Sequence, residues 1–122
     1  MTTILVVDNS PVNIMLLRST FEPFGYNIIA AQNIQEGLSL ARKRKPDLIL
    51  SDVHMPGGDG FDFIRAVKAD PELRSIPFVF ISSTVWADKD QLAGIALGAE
   101  RFINRPIEPQ ILLQEVRACL RE

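Results

Sequence analysis

Short aliphatic stretches in this chain keep running into polar residues that can do chemistry. "ILVVDNS" delivers Asp8 and Asn9, and "DLILSD" delivers Asp52. "FVFISS" delivers Ser82 and Ser83, and "RFINRP" delivers Asn104 and Arg105. Each alone says little, because polar residues end many strands. Together they suit a small oxyanion held with a hard cation. Carboxylate and amide oxygens match Mg²⁺, while hydroxyls and a guanidinium match phosphate. Asp52 is also a candidate nucleophile, since carboxylates form acyl phosphates. Locally, Asp8-Asn9 has a plainer use, because Ser10 is a good N-cap and Pro11 suits the first helical position.

The combination matters only if the fold brings these residues to one edge. The aliphatic runs Ile4-Val7, Tyr26-Ala30, Leu48-Leu50, Phe78-Ile81 and Phe102-Ile103 read as strands. Several are continuously apolar, as parallel strands covered on both faces are. Between them lie segments of helical period. The first runs from Pro11 to about Phe24, with Ile14, Leu17, Phe21 and Phe24 on one face and Gly25 as its stop. The second begins at Asn33, with Glu36 as a capping-box partner and Leu38 and Ala41 facing inward. The third spans from near Gly60 to before Pro71, the fourth from about Asp88 to Leu97 with its stop at Gly98. The fifth follows Pro109 to about Arg121. Alternating strands and helices imply right-handed βαβ crossovers and a three-layer, doubly wound α/β domain on a parallel sheet. Such sheets bind ligands beyond the carboxyl ends of their strands, where the polar residues above fall.

At this point the chain resembles the receiver domains of two-component response regulators, over essentially its whole length, 1–122. "ILVVDNS" resembles the family's opening strand and acidic corner. "PDLILSDVHMPGGDGFDFI" resembles the phosphoacceptor segment, with Asp52 at the phosphorylated position and Met55-Pro56 and Asp59-Gly60 in their usual places. "IPFVFISS" puts Ser82 at the switch hydroxyl. "GAERFINRP" puts Phe102 at the switch aromatic and Arg105-Pro106 at the basic position. The resemblance implies a flavodoxin-like sheet of order 2-1-3-4-5. It implies a phosphohistidine on a histidine kinase or histidine phosphotransfer protein that donates its phosphoryl group to Asp52. Mg²⁺ would be held by Asp8, in the family usually through water, and by Asn9, Asp52 and the backbone carbonyl of His54. Ser82 and Arg105 would then bind phosphoryl oxygens, and Phe102 would change rotamer. The face of the fourth helix, fifth strand and fifth helix would change for an output partner or domain, and in the family it often mediates homodimers. The domain is not expected to be a stand-alone enzyme beyond its own phosphorylation and slow autodephosphorylation.

Two positions depart from the family pattern. Most members carry an acid where this chain has Asn9, so the site loses a negative charge and weaker Mg²⁺ binding is expected. The family lysine is replaced by Arg105, which is longer, planar and bidentate. It can clamp phosphate, or it can pair with Asp8 or Asp52 and hold the site closed without metal. Serine at 82 keeps the usual hydroxyl and loses a methyl. These changes admit a second reading, a pseudo-receiver whose partner binding does not depend on phosphorylation. A haloacid-dehalogenase-like phosphatase is disfavoured, because it needs a second acid where this chain has His54. "GGDG", Gly57 to Gly60, lacks the spacing of a dinucleotide loop.

Composition closes off other classes. The chain has 122 residues, 47% apolar and 23% charged, and a net charge of -2, which fits one globular domain. That charge offers no footprint for nucleic acid or anionic membrane. No apolar run approaches a membrane span, and no secretory signal opens the chain, so a cytoplasmic setting is expected. Cys119, the only cysteine, shares helical spacing with Leu112, Val116 and Leu120 and reads as core. "RKRK", Arg42 to Lys45, reads as a solvated helix end that complements the dipole. His54 is expected to offer its carbonyl, not its ring. Trp86 is either packed on the fourth helix or a partner contact. No output module follows the last helix in this sequence. Both a single-domain regulator and a receiver from a longer protein such as a hybrid histidine kinase fit.

Overall fold

The computed structural model describes residues 1–55, 58–82 and 88–121. Its main sheet has five parallel strands: β1 Thr3–Val7, β2 Asn27–Ala31, β3 Leu48–Ser51, β4 Phe78–Ser82 and β5 Arg101–Asn104. Their spatial order is β2-β1-β3-β4-β5, as the family resemblance implied. The helices are α1 Pro11–Phe21, α2 Ile34–Arg44, α3 Gly60–Ala69, α4 Asp88–Ala96 and α5 Pro109–Leu120.

Alternate residues of each strand feed two cores, one per face of the sheet. Ile4 and Val6 join Leu50, Val79, α1 through Ile14, Leu17 and Phe21, and α5 through Leu112, Leu113 and Val116. Leu5 and Val7 join Ile49, Phe78 and Phe80 with α2 through Ala41 and α3 through Phe63, Ile64 and Val67. This two-sided burial explains why the central strands read as unbroken apolar runs. Cys119 lies in the first core, only 3% exposed, and burial raises its thiol pKa.

The helix ends follow local chemistry, with three corrections. The first helix does not run on to Phe24. It closes at Phe21 and a 3₁₀ turn, Glu22–Phe24, follows around Pro23. Phe24 is therefore not inward but 58% exposed, and the chain reverses at Gly25 with φ +90°. On α2, Gly37 and Ala41 are the buried residues, and Leu38 is half-buried. Asn33 Oδ1 accepts the Glu36 N–H at 2.9 Å, whereas the Glu36 carboxylate takes the Asn33 side-chain amide instead of closing a capping box. Thirdly, the strand pattern missed a short antiparallel ribbon, His54–Met55 with Gly58–Asp59. The basic run ends α2 as expected, exposed, with Arg42 on Asp70 at 3.2 Å and Lys45 as a left-handed cap.

Candidate functional site

Register places the acids side by side. Val7 of β1 pairs with Ser51 of β3, so Asp8 and Asp52 each lie one residue past neighbouring strands. The Asp52 N–H donates to the Val7 carbonyl at 2.9 Å, and the Asp8 N–H to the Ala31 carbonyl at 3.0 Å. Both carboxylates are buried, Asp8 at 1% exposure and Asp52 at 9%. Burying two acids is costly unless cations or donors meet them.

Asp8 is held on both oxygens. The Ser10 N–H donates to Oδ1 at 2.8 Å, and Asn13 Nδ2 to Oδ2 at 3.3 Å. Both terminal nitrogens of Arg105 also reach Oδ2, each at 3.4 Å. Of the two roles open to Arg105, the structure shows the ion pair with Asp8. Ser10 and Pro11 start α1 as read, with Ser10 Oγ accepting the Asn13 N–H at 3.3 Å. The Asp8 corner thus caps a helix and presents an acid. Asn9, next to it, is exposed.

Asp52 is fixed by its own loop. The Val53 N–H donates to Asp52 Oδ1 at 2.7 Å, and Ser51 Oγ donates to the Asp52 carbonyl at 2.8 Å. The Gly60 N–H reaches the Val53 carbonyl at 2.6 Å, folding the ribbon back on β3. His54 pairs through its backbone with Asp59, which caps α3 in a reciprocal capping box with Asp62. The sequence reading did not find this box, although Asp59 and Asp62 stand at its spacing.

The other half of the edge comes from β4 and β5. Ser82, 1% exposed, pairs in register with Asn104, and its carbonyl accepts the Arg105 N–H at 2.7 Å. The Arg105-Pro106 peptide is cis. Phe102 is half-buried, its ring 5.5 Å from that of Phe80, which also meets Phe61 and Phe78. Asn104 is exposed. Ser83, Val85, Trp86 and Pro56, and the ring of His54, lie outside the described residues.

The donor set at this edge fits a hard cation. The Asp8 and Asp52 carboxylates, the Asn9 amide and the His54 carbonyl offer only oxygen, as Mg²⁺ prefers. Among the described residues no three His, Cys, Asp or Glu side chains converge, so the two acids are the anionic part of that set. No helix among the described residues is long and apolar enough to cross a membrane.

Comparison with known proteins places this edge in context. Residues 4–117 match the family described as response regulator receiver domain. Protein PilH of Pseudomonas aeruginosa is 36% identical over 120 residues, covering 98% of both chains. The polar-differentiation response regulator DivK of Brucella anthropi is 33% identical, covering 97% of this chain and 95% of its own. The response regulator PleD of Caulobacter vibrioides is 37% identical, but this chain spans only 26% of it. The chemotaxis response regulator CheY4 of Vibrio cholerae superposes with a TM-score of 0.90 at 28% identity, covering 98% of both chains. The chain belongs to the response regulator receiver domain family.

Proposed function

We propose that the domain is a phosphoacceptor switch that takes a phosphoryl group from a partner phosphohistidine onto Asp52. The observation that carries this reading is the register that sets two buried carboxylates side by side. Ser82 and the Arg105 backbone are tied together on the adjoining strand pair. A phosphoryl acceptor needs little more, because phosphoryl transfer is mainly positioning and charge neutralisation. The P–N bond of the phosphohistidine breaks as a P–O bond to the Asp52 carboxylate forms, and the imidazole leaves with the electron pair. The hydrogen bond from Val53 fixes the rotation of the accepting carboxylate. Asp8, Asn9, Asp52 and the His54 carbonyl would hold Mg²⁺, which supplies charge neutralisation for the incoming phosphoryl oxygens. Slow loss of the group by hydrolysis would reset the switch.

The surroundings suit a macromolecular donor. A protein that brings a phosphohistidine to Asp52 must cover the rim of the site, and α1 borders that rim through the Asp8 corner. On α1, Val12, Met15 and Leu16 are each at least 60% exposed. Output would pass through Phe102, which is half-buried between Phe80 and solvent and lies beside Leu92 and Ile95 of α4.

A second reading is a module whose partner binding ignores phosphorylation. The ion pair between Arg105 and Asp8, together with the amide at position 9, favours it. Amide NMR spectra with and without acetyl phosphate and Mg²⁺ distinguish the two. The switch reading expects shifts at Asp52, Phe102 and residues of α4. Spectra unchanged at all of these would leave only the module.

A further inference from the structure

We propose that Ser51 is a positioning residue for Asp52, acting on its carboxylate through the single peptide group that joins Asp52 to Val53. The inference rests on the switch reading above and names a residue that sets the geometry of the accepting group. Among the described residues, the buried polar or charged ones are Asp8, Ser51, Asp52 and Ser82. Ser51 is the one to which the switch reading gives no role. It is fully buried, and register sets it between Val7 and Phe80, which belong to the apolar core under α2 and α3. A hydroxyl there is costly unless it is hydrogen-bonded.

Ser51 Oγ–H donates to the Asp52 carbonyl at 2.8 Å, and the N–H of that same peptide group donates to Asp52 Oδ1 at 2.7 Å. Hydroxyl, peptide and carboxylate therefore form one chain of hydrogen bonds. The Asp52 N–H still belongs to the sheet, where it donates to the Val7 carbonyl. The Asp52 carbonyl has instead turned toward α3, where a Cβ on Gly60 would stand 2.6 Å from its oxygen. A buried carbonyl outside the ladder needs a donor, and Ser51 supplies one. That bond holds the plane of the 52–53 peptide, and the plane aims the Val53 N–H. Accepting a hydrogen bond at the carbonyl also polarises the peptide and strengthens its N–H as a donor. The terminal torsion of an aspartate is intrinsically broad, so the carboxylate turns more freely without this donor. Such looseness matters where an accepting oxygen must line up with phosphorus. Alanine at 51 would keep the core face apolar and lose the chain.

The test compares the wild-type chain with Ser51→Ala, which removes the hydroxyl, and Ser51→Cys, which fills the same space but donates weakly. Amide NMR spectra are taken first, with no phosphodonor and no Mg²⁺. In both variants the Val53 amide proton should move upfield, while that of Val116, in the core on the other face of the sheet, stays. Intact-mass time courses with phosphoramidate and Mg²⁺ follow. Asp52 should be phosphorylated about fivefold more slowly, or slower still, in both variants. A Val53 proton at its wild-type position in both variants would overturn the proposal. A wild-type rate in both would do the same and leave Ser51 as packing, even if both unfold at lower urea. The Val53 shift is read without any phosphoryl group. If it moves as expected and no chain is phosphorylated, the switch reading fails and the hydrogen-bond chain to Asp52 stands. Phosphorylation of all three chains at one rate would keep the switch and remove only this inference.

Discussion

The carbonyl oxygen of Asp52 lies 2.6 Å from where a Cβ on Gly60 would stand. The same Cβ would meet the Phe80 ring at 2.8 Å and the Val53 Cα at 3.0 Å. Glycine at 60 is thus what lets α3 begin directly against the Asp52 loop. Two of those neighbours are backbone and cannot swing away. Gly60→Ala should destabilise the domain by about 2 kcal/mol, the usual range for overpacking. Urea unfolding monitored by circular dichroism measures it, and a midpoint equal to wild type would show that the loop has slack.

Asp59 ties the same loop to α3 from the other side. It caps the helix by accepting the Asp62 N–H at 3.0 Å and pairs in the ribbon with His54. Asp59→Ala should cost about 1 kcal/mol of stability. It should also raise amide exchange at His54 more than at Val79 in the central sheet. Uniform exchange across both would mean that the cap does not hold the loop.

Phe80 joins the Asp52 loop to β5 and α4. It is fully buried and packs against Phe61, Phe78 and Phe102, and a Cβ on Gly94 of α4 would lie 3.3 Å from its ring. Phe80→Ala should cost about 3–5 kcal/mol by opening a cavity in the core. Thermal unfolding reads the loss, and a drop under about 1 kcal/mol would show that the aromatic row repacks.

These neighbours also show what was legible beforehand. The strands and their polar ends could be read because two-sided burial demands unbroken apolar runs, and each run stops at the polar edge of the sheet. Asp8 and Ser82 follow those stops directly, and Asp52 and Arg105 one residue later. Phe24 misled because it keeps the apolar spacing of α1, yet Pro23 turns the chain into a 3₁₀ segment that points it outward. The ribbon at His54 was illegible because two-residue strands have no periodicity. The choice of Asp8 by Arg105 depends on where the loop after β5 carries the guanidinium, which spacing along the chain does not encode.

Acid stability should carry the mark of Asp70. Its carboxyl pKa is lowered, chiefly by the Glu72 N–H and then by Arg42. A carboxylate depressed in the folded state contributes stability above its ordinary pKa, and that contribution is lost as pH falls through the folded value. Asp70→Asn should therefore lower the unfolding midpoint at neutral pH and converge with wild type at low pH, which flattens the acid limb. An acid limb as steep as that of wild type would remove Asp70 from the account.

The central claim is that Asp52 accepts a phosphoryl group. Incubation with acetyl phosphate or phosphoramidate and Mg²⁺, followed by intact-mass spectrometry, tests it most directly. The account predicts one phosphoryl adduct on the wild-type chain, absent from Asp52→Asn and more abundant with Asn9→Asp, which restores a charge to the metal site. No adduct with any donor, or an adduct that survives Asp52→Asn, would contradict it.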